Sequence, residues 1–400
     1  NGVASLLLGL PFSFAARETQ VLDRRSTYWA WFAQDDWSVT RNLTLNVGLR
    51  WETDTPIRDV NNRMNGFDLA QRNPLALVPG VVRFAGIGGW RTNPYDTDMN
   101  NYGPRFGFAY KAFGSEKTVI RGGFGVFFAH PFDRTLANAA TLGFERSSQA
   151  NLLDNATDLP YTLSRNLPTP DLSARPLDDR FGAVPVGATA TTAVTYIEEN
   201  RRSGYSLQPN LRIQHELPGH VLLDWGYLGN LSRKLAGSNL NTNQIRPELI
   251  TTAANQRLRP YPQFSNVTIL APSFGISSYH AGSVRVEKRF SRGFNILSTY
   301  TWSKTLDNVD SLAGSFGNET NSFSNYYNRR ADFGPSEIDI AHRVTFSSVY
   351  QLPIGKRRRY LLADVLRTPP RRPGSCCWAR TFAATRGART SATSTSGKGR

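Results

Sequence analysis

The sequence predicts an all-β protein: an antiparallel transmembrane β-barrel with long extracellular loops, of which about nine or ten strands are recognisable. Two observations lead to this prediction. Segments of about ten residues alternate between apolar and polar side chains, which is the period of a strand with two different faces. These segments are joined in turn by very short and very long connections, as in barrels that cross a membrane.

The clearest strand is "LTLNVGLRWE", residues 43–52. Every odd-numbered residue in it is apolar, and every even-numbered residue is polar, charged or glycine. The preceding segment "YWAWFAQDDWSV", residues 28–39, is separated from it by Thr40, Arg41 and Asn42 only. A connection of this length predicts a β-hairpin.

Seven more strands follow in the same way. Three further hairpins are predicted around the turns "GSEK", "LPGH" and "SRG", and a ninth strand precedes "PIGK"; the segments are 105–113, 118–130, 206–216, 221–229, 279–290, 294–303 and 343–352. The links between hairpins are 53–104, 131–205, 230–278 and 304–342. Connections inside compact soluble domains have a median of about 4–6 residues, so these links favour a membrane barrel.

Strand length and aromatic placement agree with a membrane. A ten-residue strand is about 33 Å long and, tilted by about 40°, spans about 25 Å, the height of the apolar band on such barrels. Aromatic residues near strand ends are typical of the girdles at the membrane interfaces; they are Trp29, Trp31, Trp37, Trp51, Tyr300 and Trp302.

Charged residues are expected on the face that lines the lumen. The alternation assigns to this face Arg50, Glu52, Arg105, Lys111, Arg121, Arg212, Asp224, Arg285, Glu287 and Arg289. Only Asp35, His215 and Lys288 fall on the apolar face. The expected partners are therefore outer-membrane lipid on one side and a wet interior on the other.

The same alternation would suit other proteins. In a soluble β-sandwich or propeller that recognises carbohydrate, the apolar face would be the core. A passive porin would share the barrel and differ by lacking a plug. The long links favour the membrane barrel over the soluble alternative.

The formal net charge of +16 does not predict a nucleic-acid partner. Residues 356–400 contain twelve Lys or Arg and one acidic residue, so most of the charge lies there, and no basic face is clustered in the remainder. Both cysteines, Cys376 and Cys377, also lie in this segment. A disulfide scaffold or a cysteine-ligated metal site is therefore not expected in residues 1–355.

No catalytic or cofactor motif emerges. "HELPGH", residues 215–220, places its histidines five apart around Pro218 and Gly219, whereas a zinc-protease motif needs them four apart on a helix. "GGFGVF", residues 122–127, fits a bend or close backbone approach better than a dinucleotide site. We expect no enzyme activity, no cofactor and no metal.

Four stretches resemble TonB-dependent outer-membrane receptors, most of all the Oar-like subgroup that carries a carboxypeptidase-regulatory-like domain: "FAQDDWSVTRNLTLNVGLRWE", "NYGPRFGFAYKAFGSEKTVIRGGFGVFF", "SVRVEKRFSRGFNILSTYTWSKTLDN" and "RRADFGPSEIDIAHRVTFSSVYQLPIGK". The resemblance covers 27–356 in patches. It implies a 22-stranded barrel in a Gram-negative-type outer membrane, a plug in the lumen and energy supplied through TonB.

The resemblance also suggests how the chain is divided. Residues 1–26 are expected to be an incomplete N-terminal barrel segment, 27–356 the receptor barrel, and 357–400 a basic tail that is disordered or arises from a frameshift. A plug and a TonB box are not recognisable, and nine strands are fewer than 22. The chain is therefore expected to be a fragment that does not transport on its own.

The nutrient site is expected in the long loops. Aromatic side chains there suit a large nutrient such as an oligosaccharide, a peptide or a chelate; the candidates are Trp90, Tyr95, Tyr326 and Tyr327. The sequence does not distinguish these three nutrient classes.

Overall fold

A large antiparallel sheet of twelve strand segments dominates the structure. The structure is a computed structural model, and it describes residues 7, 13–18, 21–129, 140–151, 172–237, 239–250, 255–291, 293–309, 324–351 and 376–384. Four small sheets of two or three strands accompany the large one.

The strands, in chain order, are β1 (Ser13–Glu18), β2 (Arg24–Arg25), β3 (Tyr28–Thr40), β4 (Leu43–Asp54), β5 (Arg58–Asp59), β6 (Asn65–Arg72), β7 (Pro79–Phe84), β8 (Tyr102–Lys111), β9 (Thr118–Phe128), β10 (Arg146–Asn151), β11 (Ala193–Tyr196), β12 (Tyr205–Leu207), β13 (Asn210–Leu217), β14 (Val221–Leu235), β15 (Leu240–Asn241), β16 (Asn266–Ile269), β17 (Gly275–Ser291), β18 (Phe294–Asp307), β19 (Gly334–Pro335), β20 (His342–Tyr350) and β21 (Cys376–Ala384). Three-residue 3-10 helices lie at Ala112–Gly114, Pro247–Leu249 and Gln256–Leu258. Within the described ranges, no helix has the length and apolar character needed to cross a membrane.

The strands of the large sheet are neighbours in the order in which the chain makes them. From one edge to the other the order is β3, β4, β8, β9, β12 with β13, β14, β17, β18, β20 and β21, and β19 pairs with β18. Neighbouring strands are antiparallel. All nine predicted strands are present, so the prediction of an all-β antiparallel fold is confirmed.

The strand predicted as one segment over 206–216 is divided into β12 and β13. The division falls at Gln208 and Pro209, because proline has no N–H with which to continue the ladder. Gln208 N donates instead to Gly125 O at 2.9 Å, and Pro209 O accepts from Gly229 N at 2.8 Å. The two halves together occupy one position between β9 and β14.

Several strands extend further toward the long links than predicted. β14 ends at Leu235 instead of Gly229, and β17 begins at Gly275 instead of Tyr279. The sheet therefore continues past the length needed for the apolar band and reaches the links that connect its strands.

The register sorts the side chains of the sheet into two faces. Val47 lies opposite Phe106, and Phe106 lies opposite Phe124. Further along the sheet, Ile213 lies opposite Trp225. The alternation read from single strands is thus aligned between strands, and from β3 to β20 one face is predominantly apolar.

The apolar face is exposed in the protein itself. Trp31, Val47 and Trp302 keep 69%, 54% and 62% of their surface accessible. A soluble sandwich would bury such side chains against a second sheet. Their exposure rejects the soluble alternative and fits a face that meets lipid.

The buried hydrophobic residues lie mainly in the long links. Among the described residues, every buried apolar side chain except those of Ala112 and Ala281 lies in 55–101, 129–204 or 236–274. We call one cluster of these side chains the loop core; it consists of Phe67, Val82, Phe84, Val194, Tyr196, Phe264, Val267 and Ile269. Because its members come from three links, those links fold together.

Three hydrogen bonds from two side chains connect the links across long sequence distances. Asn65 Nδ2 donates to Thr195 O at 2.7 Å. The amide of Gln263 donates to Pro79 O and Gly80 O, both at 2.9 Å. Buried polar groups of this kind are costly unless they are paired, so these bonds fix the relative position of the links.

Both ends of the chain contain paired strands where they are described. β1 pairs with β10, and β2 pairs with β5, so these segments of 1–26 join link strands and not the large sheet. β21, inside the segment expected to be disordered, pairs with β20 over nine residues. An exposed strand edge is a template for pairing, which accounts for this strand. The remainder of 357–400 lies outside the described residues.

Candidate ligand-binding cleft

The four long links converge on one open cleft of about 840 Å³. Trp90, Tyr326 and Tyr327, three of the four aromatic residues named from the sequence, line it. Clefts of this size that combine aromatic side chains with a few polar groups are typical of small-molecule sites. The sequence therefore found part of this cleft, and the fold brings together residues separated by more than 200 positions.

Trp90 is held by a tight turn and a close glycine contact. Its N–H donates to Ile87 O at 3.0 Å, and its carbonyl accepts from Gly86 N at 3.2 Å. A Cβ on Gly66 would lie 2.9 Å from the indole Nε1. The ring packs this closely only because residue 66 has no side chain.

Tyr326 and Tyr327 are attached to the cleft by Gln244. Tyr326 N donates to Gln244 Oε1 at 3.0 Å, and Tyr327 Oη donates to Gln244 O at 3.0 Å. The two rings meet edge to face with centroids 5.3 Å apart. Gln244 thus connects the link before β20 to the link before β17.

Buried aromatic rings connect the cleft to the loop core. Phe67 packs edge to face on Tyr261, with centroids 5.1 Å apart, and lies 5.5 Å from Tyr196. Burial raises the pKa of Tyr196 well above its usual range and raises that of Tyr261 as well. Both hydroxyls therefore stay protonated at physiological pH.

The charged groups that line the cleft are mostly acidic. They are Asp68, Asp96, Glu198, Glu199 and Arg246. Arg91, just outside this lining, has Nη2 at 2.5 Å from Asp96 Oδ1 and Nη1 at 3.4 Å from Glu199 Oε2. The Arg91 guanidinium therefore pairs with two of the four carboxylates.

Tyr95, the fourth aromatic residue named from the sequence, lies elsewhere. Its side chain is 5% exposed and belongs to a buried cluster with Ile57 and Leu270. Its hydroxyl accepts a hydrogen bond from Ile57 N at 3.1 Å. Burial raises the pKa of Tyr95. We assign Tyr95 a structural role, because a ring buried in this way is not available to a ligand.

The register places nine of the ten predicted lumen charges on the face opposite the apolar one, and Arg289 falls where the register of β17 is interrupted. Arg121 lies across from Arg212, and Asp224 lies across from Arg285. Three pairs of opposite charge are in contact on this face: Arg50 with Glu52 at 2.7 Å, Arg212 with Asp224 at 3.0 Å, and Arg285 with Glu287 at 2.6 Å. Asp35, His215 and Lys288 lie on the apolar face, as the alternation predicts.

Several cleft residues were missed in the sequence. Glu198 and Glu199 lie just after the short apolar strand β11, separated from it by Ile197, and such polar residues after a strand are a signal that could have identified them. Tyr196 and Tyr261 offered no signal, because their burial depends on contacts between separate links. No group of His, Cys, Asp or Glu in the described ranges is arranged to hold a metal ion.

Several solved structures have a similar chain trace. The FrpB iron transporter of Neisseria meningitidis (F3-3 variant) is 10% identical, with a TM-score of 0.40 over 83% of this chain and 32% of that one. The outer membrane transporter YddB of Escherichia coli is 9% identical, with a TM-score of 0.41 over 82% and 40%. The alcaligin outer membrane receptor FauA of Bordetella pertussis is 12% identical, with a TM-score of 0.36 over 84% and 36%.

This chain spans well under half the length of each of these proteins. Among curated proteins, none matches the chain. The family described as the outer membrane beta barrel domain matches residues 1–368. The sheet, its exposed apolar face and this match together place the protein in the outer membrane as an all-β transmembrane barrel, and the chain belongs to the outer membrane beta-barrel domain family.

Proposed function

We propose that the protein imports a large nutrient across the outer membrane, as the barrel part of a TonB-dependent receptor of the Oar-like kind. The proposed ligand site is the cleft formed by the four long links, with Trp90, Tyr326 and Tyr327 as contacts. A plug and the TonB contact would be supplied by parts of the receptor outside these 400 residues. No enzymatic step is part of this proposal.

The observation that supports the proposal most is the position of the cleft. All four long links contribute to it, and they lie at the end of the sheet opposite the short turns. In outer-membrane barrels the long loops are extracellular. A nutrient arriving from outside would therefore meet this cleft first.

The polar face of the sheet supports a wet path below the cleft. Asp224 is only 4% exposed at its side chain, and it accepts hydrogen bonds from Arg212 and Gln214 at 3.0 and 3.1 Å. Paired charges of this kind suit a hydrated lumen. Facing lipid, the same charges would be costly.

The test uses cells that produce the full-length receptor. The gene is deleted, and growth is measured on a panel of oligosaccharides, peptides and ferric chelates offered singly. We expect growth on one member to be lost and to depend on the proton-motive force. A gene carrying Phe113→Ala, a change in a short turn, should restore growth, whereas Trp90→Ala with Tyr327→Ala should not. Unchanged growth of the deletion strain on every member contradicts the proposal.

A further inference from the structure

The charge of the cleft narrows the class of ligand. Resting on the function proposed above, we infer that the cleft takes a cationic ligand that bears an amine or guanidinium on an apolar stem, chemically a short basic peptide. The lining holds four carboxylates and one guanidinium, although the chain as a whole has a formal charge of +16. The acidic lining is therefore a local property of the cleft.

Two of the carboxylates are available to a ligand. Asp96 and Glu199 share Arg91, as described above. Asp68 uses Oδ1 to accept the N–H groups of Ala70 and Gln71, both at 2.9 Å, and within the described part of the chain no cation pairs with its carboxylate. Glu198 is half-buried in the lining. An ammonium or guanidinium that reached Asp68 and Glu198 would form charge-assisted hydrogen bonds with them.

The aromatic rings suit the same group. A cation over the face of a Trp or Tyr ring is attracted by the ring quadrupole. Two such contacts occur within the chain at the edge of the cleft. The Arg83 guanidinium lies 5.4 Å from the Trp90 ring centroid, and the Arg329 guanidinium lies 6.0 Å from the Tyr326 ring centroid. Tyr327 remains 38% exposed, which leaves its ring accessible from the cleft.

The rest of the lining suits the stem of a basic side chain and disfavours an anion. Leu249, Leu258 and Pro260 form an apolar stretch of the wall. Long basic side chains pack their methylene groups on such surface and keep the charge in polar surroundings. An anionic chelate would bring like charge toward four carboxylates, and among the described lining residues Arg246 is the one cation.

The experiment measures peptide binding to the full chain in detergent micelles by calorimetry. The probes are the capped tripeptides Lys-Ala-Lys, Gln-Ala-Gln and Glu-Ala-Glu, with maltotriose as a neutral saccharide. We expect binding of Lys-Ala-Lys to exceed that of the other probes by at least tenfold. Its affinity should fall as salt rises from about 0.05 to 0.5 M, because ions screen exposed charges.

Matched variants assign the effect to the cleft. Glu198→Gln with Asp68→Asn should weaken Lys-Ala-Lys binding about tenfold, since two half-buried ion pairs with the ligand are removed. Asn at position 68 keeps an oxygen for the Ala70 and Gln71 N–H groups, so the loop should stay folded. Glu116→Gln removes an acid from a short turn and should leave the affinity unchanged.

Each contrary result has a distinct meaning. Equal binding of the lysine and glutamine peptides, or unchanged binding by the double variant, overturns the cationic ligand. Binding of maltotriose that is lost with Trp90→Ala also overturns it, but the cleft then stands as the proposed nutrient site. Failure of Lys-Ala-Lys to bind at millimolar concentration overturns the inference as well.

Discussion

Arg212 Nη1 lies 3.0 Å from Asp224 Oδ2 on the neighbouring strand, and the carboxylate side chain is only 4% exposed while the guanidinium side chain is 52% exposed. This pair joins β13 to β14 on the polar face of the sheet. The buried member is satisfied by two donors, Arg212 and Gln214. The contact is therefore a candidate for a measurable contribution to barrel stability.

Asp224→Asn should lower the free energy of unfolding by about 1–2 kcal/mol, because a charged hydrogen bond is weakened. The loss stays below that of a fully buried pair because Arg212 is half exposed. Urea titration in lipid vesicles, followed by tryptophan fluorescence, measures it. Glu116→Gln removes an exposed partner of Lys111 and serves as the control, with an expected change below about 0.5 kcal/mol. Equal effects of the two changes would contradict the prediction.

Position 47 tests which face meets lipid. Val47→Arg places a charge on the apolar face and should cost about 2–4 kcal/mol near the bilayer midplane. Asn46→Arg points the same charge to the polar face, where the Asp36 carboxylate is already a partner of Asn46, so its cost should be small. Folding titrations in vesicles compare the two.

Val47→Phe separates lipid from a packed core. Lipid accommodates a larger apolar side chain without strain, whereas overpacking a core costs about 1–3 kcal/mol. We therefore expect Val47→Phe to unfold at the same urea concentration as the unmodified chain. A marked loss of stability, or equal tolerance of Arg at positions 46 and 47, would count against lipid on that face.

The hydrogen bonds of Asp339 should make the link before β20 less stable in acid. Burial raises the pKa of Asp339, but hydrogen bonds from Lys304 Nζ and Thr305 N outweigh burial and hold that pKa below its ordinary value. A carboxyl whose pKa is lowered by folding stabilises the fold at any pH above its pKa in the unfolded chain. This stabilisation is lost as the pH falls through the pKa of the carboxyl in the folded chain. We expect exchange of the Thr305 amide, relative to its intrinsic rate, to accelerate once pH falls below 3.8, the ordinary pKa of an Asp carboxyl.

Asp339→Asn is the control for this effect. The substitution retains a hydrogen-bond acceptor for Thr305 N and removes the titrating group. The acid-dependent part of the Thr305 exchange rate should disappear, while exchange at pH 6 stays close to that of the unmodified chain. A variant that keeps the same acceleration below pH 3.8 would assign it to another group.

The loop core depends on the close approach of Gly80 to the rings of Tyr261 and Phe67. Its φ is +104°, and a Cβ there would lie 2.5 Å from the Tyr261 ring and 2.9 Å from Phe67. Gly80→Ala should therefore destabilise the links by about 1–3 kcal/mol, through strain and overpacking together. Limited proteolysis should cut the links faster while the strands remain protected. Gly334→Ala, where a Cβ meets no atom within 4 Å, should leave the cutting rate unchanged.

The strands could be predicted from the sequence because their signal is local. Each odd or even position of 43–52 shows by its own chemistry which face it occupies, and the register only aligns these faces between strands. The interruption at Pro209 was also readable in principle, since a proline in an interior strand removes a ladder donor.

The loop core could not be predicted in the same way. Phe67, Val194 and Phe264 come from three links and follow no common period, so their contact depends on the fold of all three. The cleft was found in part because exposed aromatics in long loops are conspicuous. Tyr95 was assigned to the ligand on the same ground, and only its three-dimensional surroundings identify it as buried.

The three links contribute apolar side chains to one core, so a single link cannot be replaced by the corresponding link of another barrel. Grafting the region 236–274 from another barrel would remove Phe264, Val267 and Ile269 and expose the partners that they cover in the other links. A chimera would keep its shape only if 55–101, 129–204 and 236–274 were transplanted as a set. If antibodies or phages select for a change in one link, the other two links must change with it, because all three contribute to the same core.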